Sequence, residues 1–170
     1  MWGLDIGNYN NTETSLSYAD EYILTTGEEF AKTIASLGSD FDAVISSHNL
    51  EHCNYPMETL NAMCSCLKPG GKLYLAFPSE ASVLFPCRTG ALNFYQDDTH
   101  IYLPVLRDIM KKLIRDNKMN VDFVDGSYKP FPMHQIAKFI NWFIGDGHHI
   151  FFAWHHFLVL YLSNSQDKER

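Results

Sequence analysis

The sequence has little positive charge. Lysine and arginine together number 13, against 20 aspartate and glutamate residues, and the formal net charge is −7 at pH 7. The sequence also has no run of lysine or arginine. Because proteins that grip nucleic acid use clustered cations to displace phosphate counterions, this composition argues against a nucleic-acid partner. A small or neutral substrate, or another protein, is the expected partner.

The sequence also lacks an apolar segment long enough to span a membrane. The longest apolar run, residues 150–162, contains two histidines and falls short of the roughly 20 residues that a transmembrane helix needs. The four cysteines have no regular spacing and no secretory leader precedes them, so we expect reduced thiols and a cytoplasmic location. The length of 170 residues predicts one domain, residues 1–163, and a polar tail, residues 164–170.

What the sequence does contain is one regular block that begins at Phe41. Residues 41–46 form a short apolar run typical of a buried parallel strand. Pro56 suits the first turn of a helix, and apolar residues follow it at helical spacing as far as Leu67. The segment Lys68-Pro69-Gly70-Gly71 is expected to end that helix.

A second buried strand is predicted from residue 73 to residue 77. Together with the preceding strand and helix it makes one right-handed strand–helix–strand unit. Ligands of such sheets lie beyond the carboxyl ends of the strands, which here means residues 46–51 and 78–82. This unit alone also fits other doubly wound proteins.

Three segments in this block resemble the S-adenosylmethionine-dependent methyltransferases of the Rossmann-like class. In order and spacing they are similar to that family's fourth-strand and fifth-strand motifs. The segments are Phe41-Asp42-Ala43-Val44, Leu50-Glu51-His52, and Leu67 to Gly71 followed by a strand ending in Pro78. The resemblance covers roughly residues 1–125 and 155–163. It implies an α/β fold with a mostly parallel Rossmann-like sheet closed by an antiparallel C-terminal hairpin. It also implies methyl transfer from S-adenosylmethionine to a small-molecule or sugar-type acceptor.

The amino-terminal region is abbreviated relative to this family, because only one strand candidate precedes Tyr22. In one alignment residues 2–6 are the family's second strand and Asp5 binds the cofactor ribose, as the spacing to Asp42 favours. In the other, Gly7 belongs to the glycine motif, although Tyr9 and Asn11 then stand where the family has glycines and would crowd the cofactor.

The first alignment removes the strand that lies in the middle of the family's sheet. Each unpaired backbone group left there would cost on the order of 1–3 kcal/mol. The central position of the sheet can be filled in three ways: by the opening strand, by a second subunit, or by a strand of a longer form of the chain. Loss of the glycine loop also predicts impaired cofactor binding.

The resemblance further implies which residues surround the cofactor. Ser46 to Asn49 would line its methionine side, and Glu51 and His52 would support that turn. The predicted cofactor-binding set is Asp5, Gly7, Ser46, Ser47, His48, Asn49, Glu51 and His52.

A long irregular segment, residues 79–101, leaves the second strand at its carboxyl end and is expected to cover the substrate. Arg88, Tyr95 and Asp98 are its candidate substrate contacts. Through the resemblance, His100 is the candidate catalytic base, since its ordinary pKa suits proton transfer near neutrality. The alternative is that Asp98 and the following threonine cap the next helix and His100 only packs.

The remaining elements are predicted from local patterns. Residues 26–29 form a capping box before a helix that Gly38 ends, and Pro104 begins another amphipathic helix. Strands are predicted at residues 119–124 and 157–162.

Between those two strands lies an aromatic helical insertion, residues 125–149, which is too apolar to stay exposed. We expect it to form a homo-oligomer interface; a roof over the active site and a membrane surface are the alternatives.

The histidines and cysteines show no metal-ligand spacing. In the two pairs of adjacent histidines near the carboxyl end, neighbours on a strand would point to opposite faces. The sequence therefore predicts no metal site.

Two other functions stay open. One is a catalytically inactive, methyltransferase-like binding or assembly module that acts through the insertion. The other is a different α/β enzyme with Cys53 as nucleophile or His52 as base, although Glu51 would raise the pKa of that thiol.

Overall fold

The structure, a computed structural model, describes residues 2–6, 20–85, 87, 93–126 and 157–164. Gly7, Arg88 and most of the predicted insertion lie outside these residues, as does the polar tail apart from its first residue, Asn164. No helix in the described ranges is long and apolar enough to cross a membrane.

Six strands and three helices make up the described fold. The strands are β1 (Trp2–Ile6), β2 (Glu21–Thr25), β3 (Phe41–Ser47), β4 (Leu67–Pro78), β5 (Met119–Gly126) and β6 (Phe157–Asn164). The helices are α1 (Phe30–Ser36), α2 (Pro56–Ser65) and α3 (Leu106–Lys111), and α3 continues into a π-helical turn, Lys112–Asp116.

Four strands form one mixed sheet in the order β3-β4-β6-β5. β3 and β4 are parallel, whereas β6 is antiparallel to both β4 and β5. β4 has neighbours on both sides, and its residues 75–78 are all buried. The α/β sheet with an antiparallel hairpin at its carboxyl end confirms the predicted fold class.

The strand–helix–strand unit is present, but the boundary between its helix and its second strand was predicted wrongly. Helix α2 begins at Pro56 as expected and ends at Ser65. β4 already begins at Leu67, which pairs with Phe41, and an irregularity follows before Lys72 pairs with Ala43. The Lys68-to-Gly71 segment is thus a bulge in β4, where Gly70 takes a left-handed φ of 77°.

Two helix starts also differ from prediction. The predicted capping box does not form at α1, because the capping residue is Glu29 and no side chain caps the helix. The Glu29 amide donates to Thr26 Oγ1 over 3.3 Å in the turn before the helix. The Glu29 carboxylate, however, accepts from Lys32 Nζ at 2.9 Å. Helix α3 begins at Leu106, two residues after Pro104, and the Leu106 amide donates to the Glu80 carboxylate.

A second sheet contains only β1 and β2, which are parallel. Among the described residues no strand pairs with the edge of β3 that faces away from β4. Ile45 on β3 is 74% exposed, although it belongs to the apolar run that predicted a buried strand. In the first alignment, in which residues 2–6 are the family's second strand, the missing central strand of the family's sheet would pair with this edge.

The core lies between the four-stranded sheet and the helices. It joins apolar side chains of α1, α2, α3 and strands β4 to β6 into one cluster. Its fully buried members include Phe30, Leu60, Leu75, Ile109 and Leu160. The core therefore fixes the carboxyl ends of β3 and β4, from which the candidate site is built.

Candidate functional site

The chain turns sharply at the carboxyl end of β3. His48 has a φ of 54°, a left-handed conformation that is uncommon for a residue other than glycine. Its amide donates to the Ala76 carbonyl of β4 over 2.9 Å, which holds the turn against the neighbouring strand. A short 3-10 turn, Leu50–His52, follows, so that Glu51 and His52 leave the sheet edge in a fixed direction.

Glu51 lies at the centre of this turn and is completely buried. Its Oε1 accepts from His48 Nδ1 at 3.1 Å, and its Oε2 has no hydrogen-bond partner among the described residues. The backbone carbonyl of Glu51 accepts from the amides of Ile101 and Tyr102 at 2.9 and 3.1 Å. The long loop after β4 is therefore held against the turn after β3.

This contact brings His52 and His100 together, with ring centroids 4.9 Å apart. His52 Nδ1 lies 3.1 Å from the Thr99 carbonyl, and His100 Nδ1 lies 2.7 Å from the Phe94 carbonyl. Because a carbonyl only accepts, each Nδ1 carries a proton in these bonds, and in a neutral ring the lone pair is then on Nε2. His100 Nε2 lies 3.7 Å from Asp97 Oδ2. Glu51, His52 and His100 each offer a ligand atom within 4.8 Å of the others.

Asp97 shapes the loop that carries His100. Its Oδ1 accepts from the Thr99 amide at 2.9 Å and from the Thr99 hydroxyl. The following helix begins only at Leu106, with Val105 as its capping residue, so the predicted capping role of Asp98 and Thr99 is wrong. From the sequence, Asp97 is one of the polar groups that this loop can offer to a substrate; its bonds to Thr99 form a turn, which an aspartate two residues before a threonine commonly signals.

A groove of about 130 Å³ opens beside the same end of β3. Apolar side chains of α1, α2 and β3 line most of it, and Ser46 and Asn49 contribute polar groups. Ser46 is 2% exposed, and its Oγ has no hydrogen-bond partner among the described residues. The groove thus offers an apolar wall with unused polar atoms at the strand end.

Cys53 takes no part in the site. Cys53 is 1% exposed, its thiol donates to the Asn49 carbonyl at 3.1 Å, and burial raises its pKa to about 11. A thiol in that state is a poor nucleophile near neutral pH. The structure gives no support to a Cys53-dependent enzyme.

The predicted site residues thus fall into four groups. The turn after β3 and the loop bring Glu51, His52 and His100 together, with His48 on the Glu51 carboxylate. Ser46 and Asn49 line the groove, whereas Ser47, Tyr95 and Asp98 are exposed. The backbone of Asp5 lies in β1, and Gly7 and Arg88 lie outside the described residues.

Comparison with protein families gives one match that spans most of the chain. The family model described as "Methyltransferase domain" matches residues 3–143. No curated protein matches the sequence.

Several solved structures with a similar fold are methyltransferases. A SAM-dependent methyltransferase from Archaeoglobus fulgidus has 18% identity and a TM-score of 0.55, with 95% of this chain and 75% of that chain covered. One from Mesorhizobium loti has 13% identity and a TM-score of 0.61, with 95% and 79% covered. A Haloferax volcanii methyltransferase, in complex with the Trm112 methyltransferase activator, has 16% identity and a TM-score of 0.58, with 96% and 71% covered.

Proposed function

The chain belongs to the family of methyltransferase domains, and we propose that it transfers a methyl group from S-adenosylmethionine to a small-molecule or sugar-type acceptor. One observation carries the proposal. The Glu51 carbonyl accepts from two amides of the loop after β4, so the turn that would hold the cofactor and the loop that would hold the acceptor meet at one place. This place is the carboxyl edge of parallel strands, where ligands of such sheets bind.

The proposed cofactor contacts follow the groove. Ser46 and Asn49 have polar groups at its wall, and Ser47 and His48 continue the same turn. In this proposal Asp5 binds the ribose. The parallel pairing of β1 with β2 supports this role, because it makes the two strands neighbours in one sheet. Gly7 would let the backbone approach the cofactor closely.

The proposed reaction needs alignment and one proton acceptor. The acceptor oxygen forms the new bond to the methyl carbon, and the electron pair of the S–CH3 bond returns to sulfur, which yields S-adenosylhomocysteine. The hydroxyl proton must then leave, and Nε2 of His100 carries the lone pair that takes it. Arg88, Tyr95 and Asp98 are the proposed contacts to the acceptor.

The second candidate function is a catalytically inactive binding or assembly module. The unpaired edge of β3 in the described part of the chain favours it, because a strand from a partner would complete the sheet there. The similar protein from Haloferax volcanii forms a complex with an activator protein, which makes a protein partner a reasonable proposal here too. The predicted homo-oligomer and the cytoplasmic location belong with these proposals.

Calorimetric titration with S-adenosylmethionine separates the two functions. We expect saturable heat in the micromolar range if the protein is a methyltransferase. Asn49→Ala should weaken binding by roughly tenfold, or about 1.4 kcal/mol, because Asn49 lines the groove. Asn54→Ala is the matched control, because Asn54 is exposed and does not line the groove, and it should leave the affinity unchanged.

The second measurement is methyl transfer from labelled S-adenosylmethionine to a panel of hydroxylated small molecules. His100→Ala should abolish transfer and leave cofactor binding intact, because His100 faces the acceptor side. If millimolar cofactor gives no heat, the methyltransferase proposal fails and the binding module is supported.

A further inference from the structure

We propose that Glu51, His52 and His100 form a binding site for a divalent transition-metal ion, with Zn²⁺ the best match. One ligand atom from each lies within 4.8 Å of the other two. Two imidazoles and one carboxylate are a ligand set that suits zinc and its first-row neighbours. The sequence alone predicts no metal site, because its histidines and cysteines show no ligand spacing. Glu51 and His52 lie far from His100 in the chain, and only the fold brings them together.

The hydrogen bonds of the two histidines prepare them as ligands. Each imidazole donates its Nδ1 proton to a backbone carbonyl, His52 to Thr99 and His100 to Phe94. These bonds fix the tautomer with the lone pair on Nε2 and orient the ring. Metal-binding histidines commonly make this second hydrogen bond, since it sets the ring direction and raises the basicity of the ligating nitrogen.

The carboxylate supplies the independent observation. Glu51 is completely buried, its Oε1 is bound to His48, and its Oε2 has no hydrogen-bond partner in the described part of the chain. Leaving a carboxylate oxygen buried without a partner is costly, and buried charges are normally paired or bound to a metal. A cation at the cluster would satisfy Oε2, so the orphaned atom points to a ligand.

The cluster also has the dimensions for an ion. Zinc with bonds of about 2.1 Å keeps tetrahedral ligands roughly 3.4 Å apart, so shifts of about 1 Å in the side chains would close the site. Three protein ligands leave a coordination position open, as in catalytic zinc sites. The His100 side chain is 14% exposed, which leaves a route to this position.

This site would give the acceptor a way to lose its proton, a role that rests on the proposed function. A hydroxyl bound to the open position has a lowered pKa, so its proton leaves to water and the alkoxide attacks the methyl carbon. Water, and not His100, would then be the proton acceptor. Binding of the ion itself does not depend on any reaction.

The test begins with protein stripped of metal by a chelator and titrated with ZnCl₂ in a calorimeter. We expect about one tight ion per chain, with Co²⁺ giving the visible absorption of a site with nitrogen ligands. His52→Ala and His100→Ala should each weaken binding by at least about tenfold, as should Glu51→Gln. Circular dichroism checks that each variant is folded, and only folded variants are compared with the wild type.

Two controls address the other histidines. His134→Ala should not change the affinity, and a chain with His148, His149, His155 and His156 all replaced by alanine should still bind one ion. The proposal is overturned if wild-type protein binds no zinc, or if folded His52→Ala and His100→Ala bind it as wild type does. Titration of the stripped protein with S-adenosylmethionine is independent of these results, so the metal site and the methyltransferase function can fail separately.

Discussion

At the scale of single residues, burial decides which side chains have chemistry to offer. Glu51 is buried with an unused oxygen and belongs to a site, whereas Cys53 is equally buried and inert. The difference lies in the neighbours. Two histidines lie near the carboxylate, whereas the thiol donates to the Asn49 carbonyl and burial raises its pKa to about 11.

The same reasoning predicts thiol reactivity. Burial raises the pKa of Cys64 to about 12, so at pH 8 only about one thiol in ten thousand is ionised, and Cys64 should resist iodoacetamide. Cys87 is exposed and should be alkylated. Peptide mass spectrometry after a short reaction gives both results in one sample. After unfolding in urea both thiols should react, and rapid alkylation of Cys64 in the native protein would contradict the buried core.

At the scale of elements, close backbone contact between β2, α1 and the turn after β3 positions the site. A methyl group on Gly27 would lie 2.7 Å from the His52 carbonyl oxygen. The Gly27 carbonyl also accepts from the Asn54 amide at 3.4 Å. The loop that starts α1 therefore supports the turn that carries Glu51 and His52.

Gly27→Ala should therefore displace this turn and cost about 1 kcal/mol or more in unfolding free energy. The displacement weakens the hydrogen bonds of the Ile101 and Tyr102 amides to the Glu51 carbonyl, so both amides should exchange faster with solvent. NMR-detected hydrogen exchange measures these two amides directly.

Gly38→Ala is the matched control for this change. Gly38 has a φ of 85°, so alanine there is also strained, but its methyl group would meet no atom within 4 Å. It should lower stability by a similar amount, about 1 kcal/mol, without a selective effect on the Ile101 and Tyr102 amides. Equal exchange rates in both variants would show that Gly27 does not support the turn.

At the scale of the whole molecule, the outer edge of β3 is a candidate surface for association with another chain. Ile45 is 74% exposed there, and no described strand covers this edge. Exposed apolar edge strands pair readily with other chains. The edge is thus a second candidate contact besides the aromatic insertion, which stays a prediction from sequence.

We expect Ile45→Lys to reduce self-association at high protein concentration. Its unfolding free energy should change by no more than about 0.5 kcal/mol, because an exposed side chain contributes little to folding. Sedimentation velocity of wild-type and variant protein over a range of concentrations measures this effect.

Ile114→Lys is the control, since Ile114 is 45% exposed on the π-helical turn, away from β3. It should associate as the wild type does. If Ile45→Lys also behaves as the wild type, the β3 edge does not mediate association.

The sequence by itself determined the elements whose signals are local. The apolar run of β3, the proline at the start of α2 and the two late strands were enough for the α/β fold. These features depend on periodicity and on proline geometry, which act over a few neighbouring residues. The methyltransferase family followed instead from the resemblance of residues 41–44, 50–52 and 67–78 to that family's motifs, and the cofactor contacts that the resemblance implies stay predictions.

The tertiary structure alone decided what depends on distant contacts. Because Leu67 pairs with Phe41, the Lys68-to-Gly71 segment belongs to β4, although its sequence alone predicts the end of a helix. The amides after His100 fixed Glu51 and His52 beside it, and the core made Glu51 fully buried. Burial and hydrogen bonding between remote segments have no local pattern in a single sequence, because they follow from the packing of the whole chain.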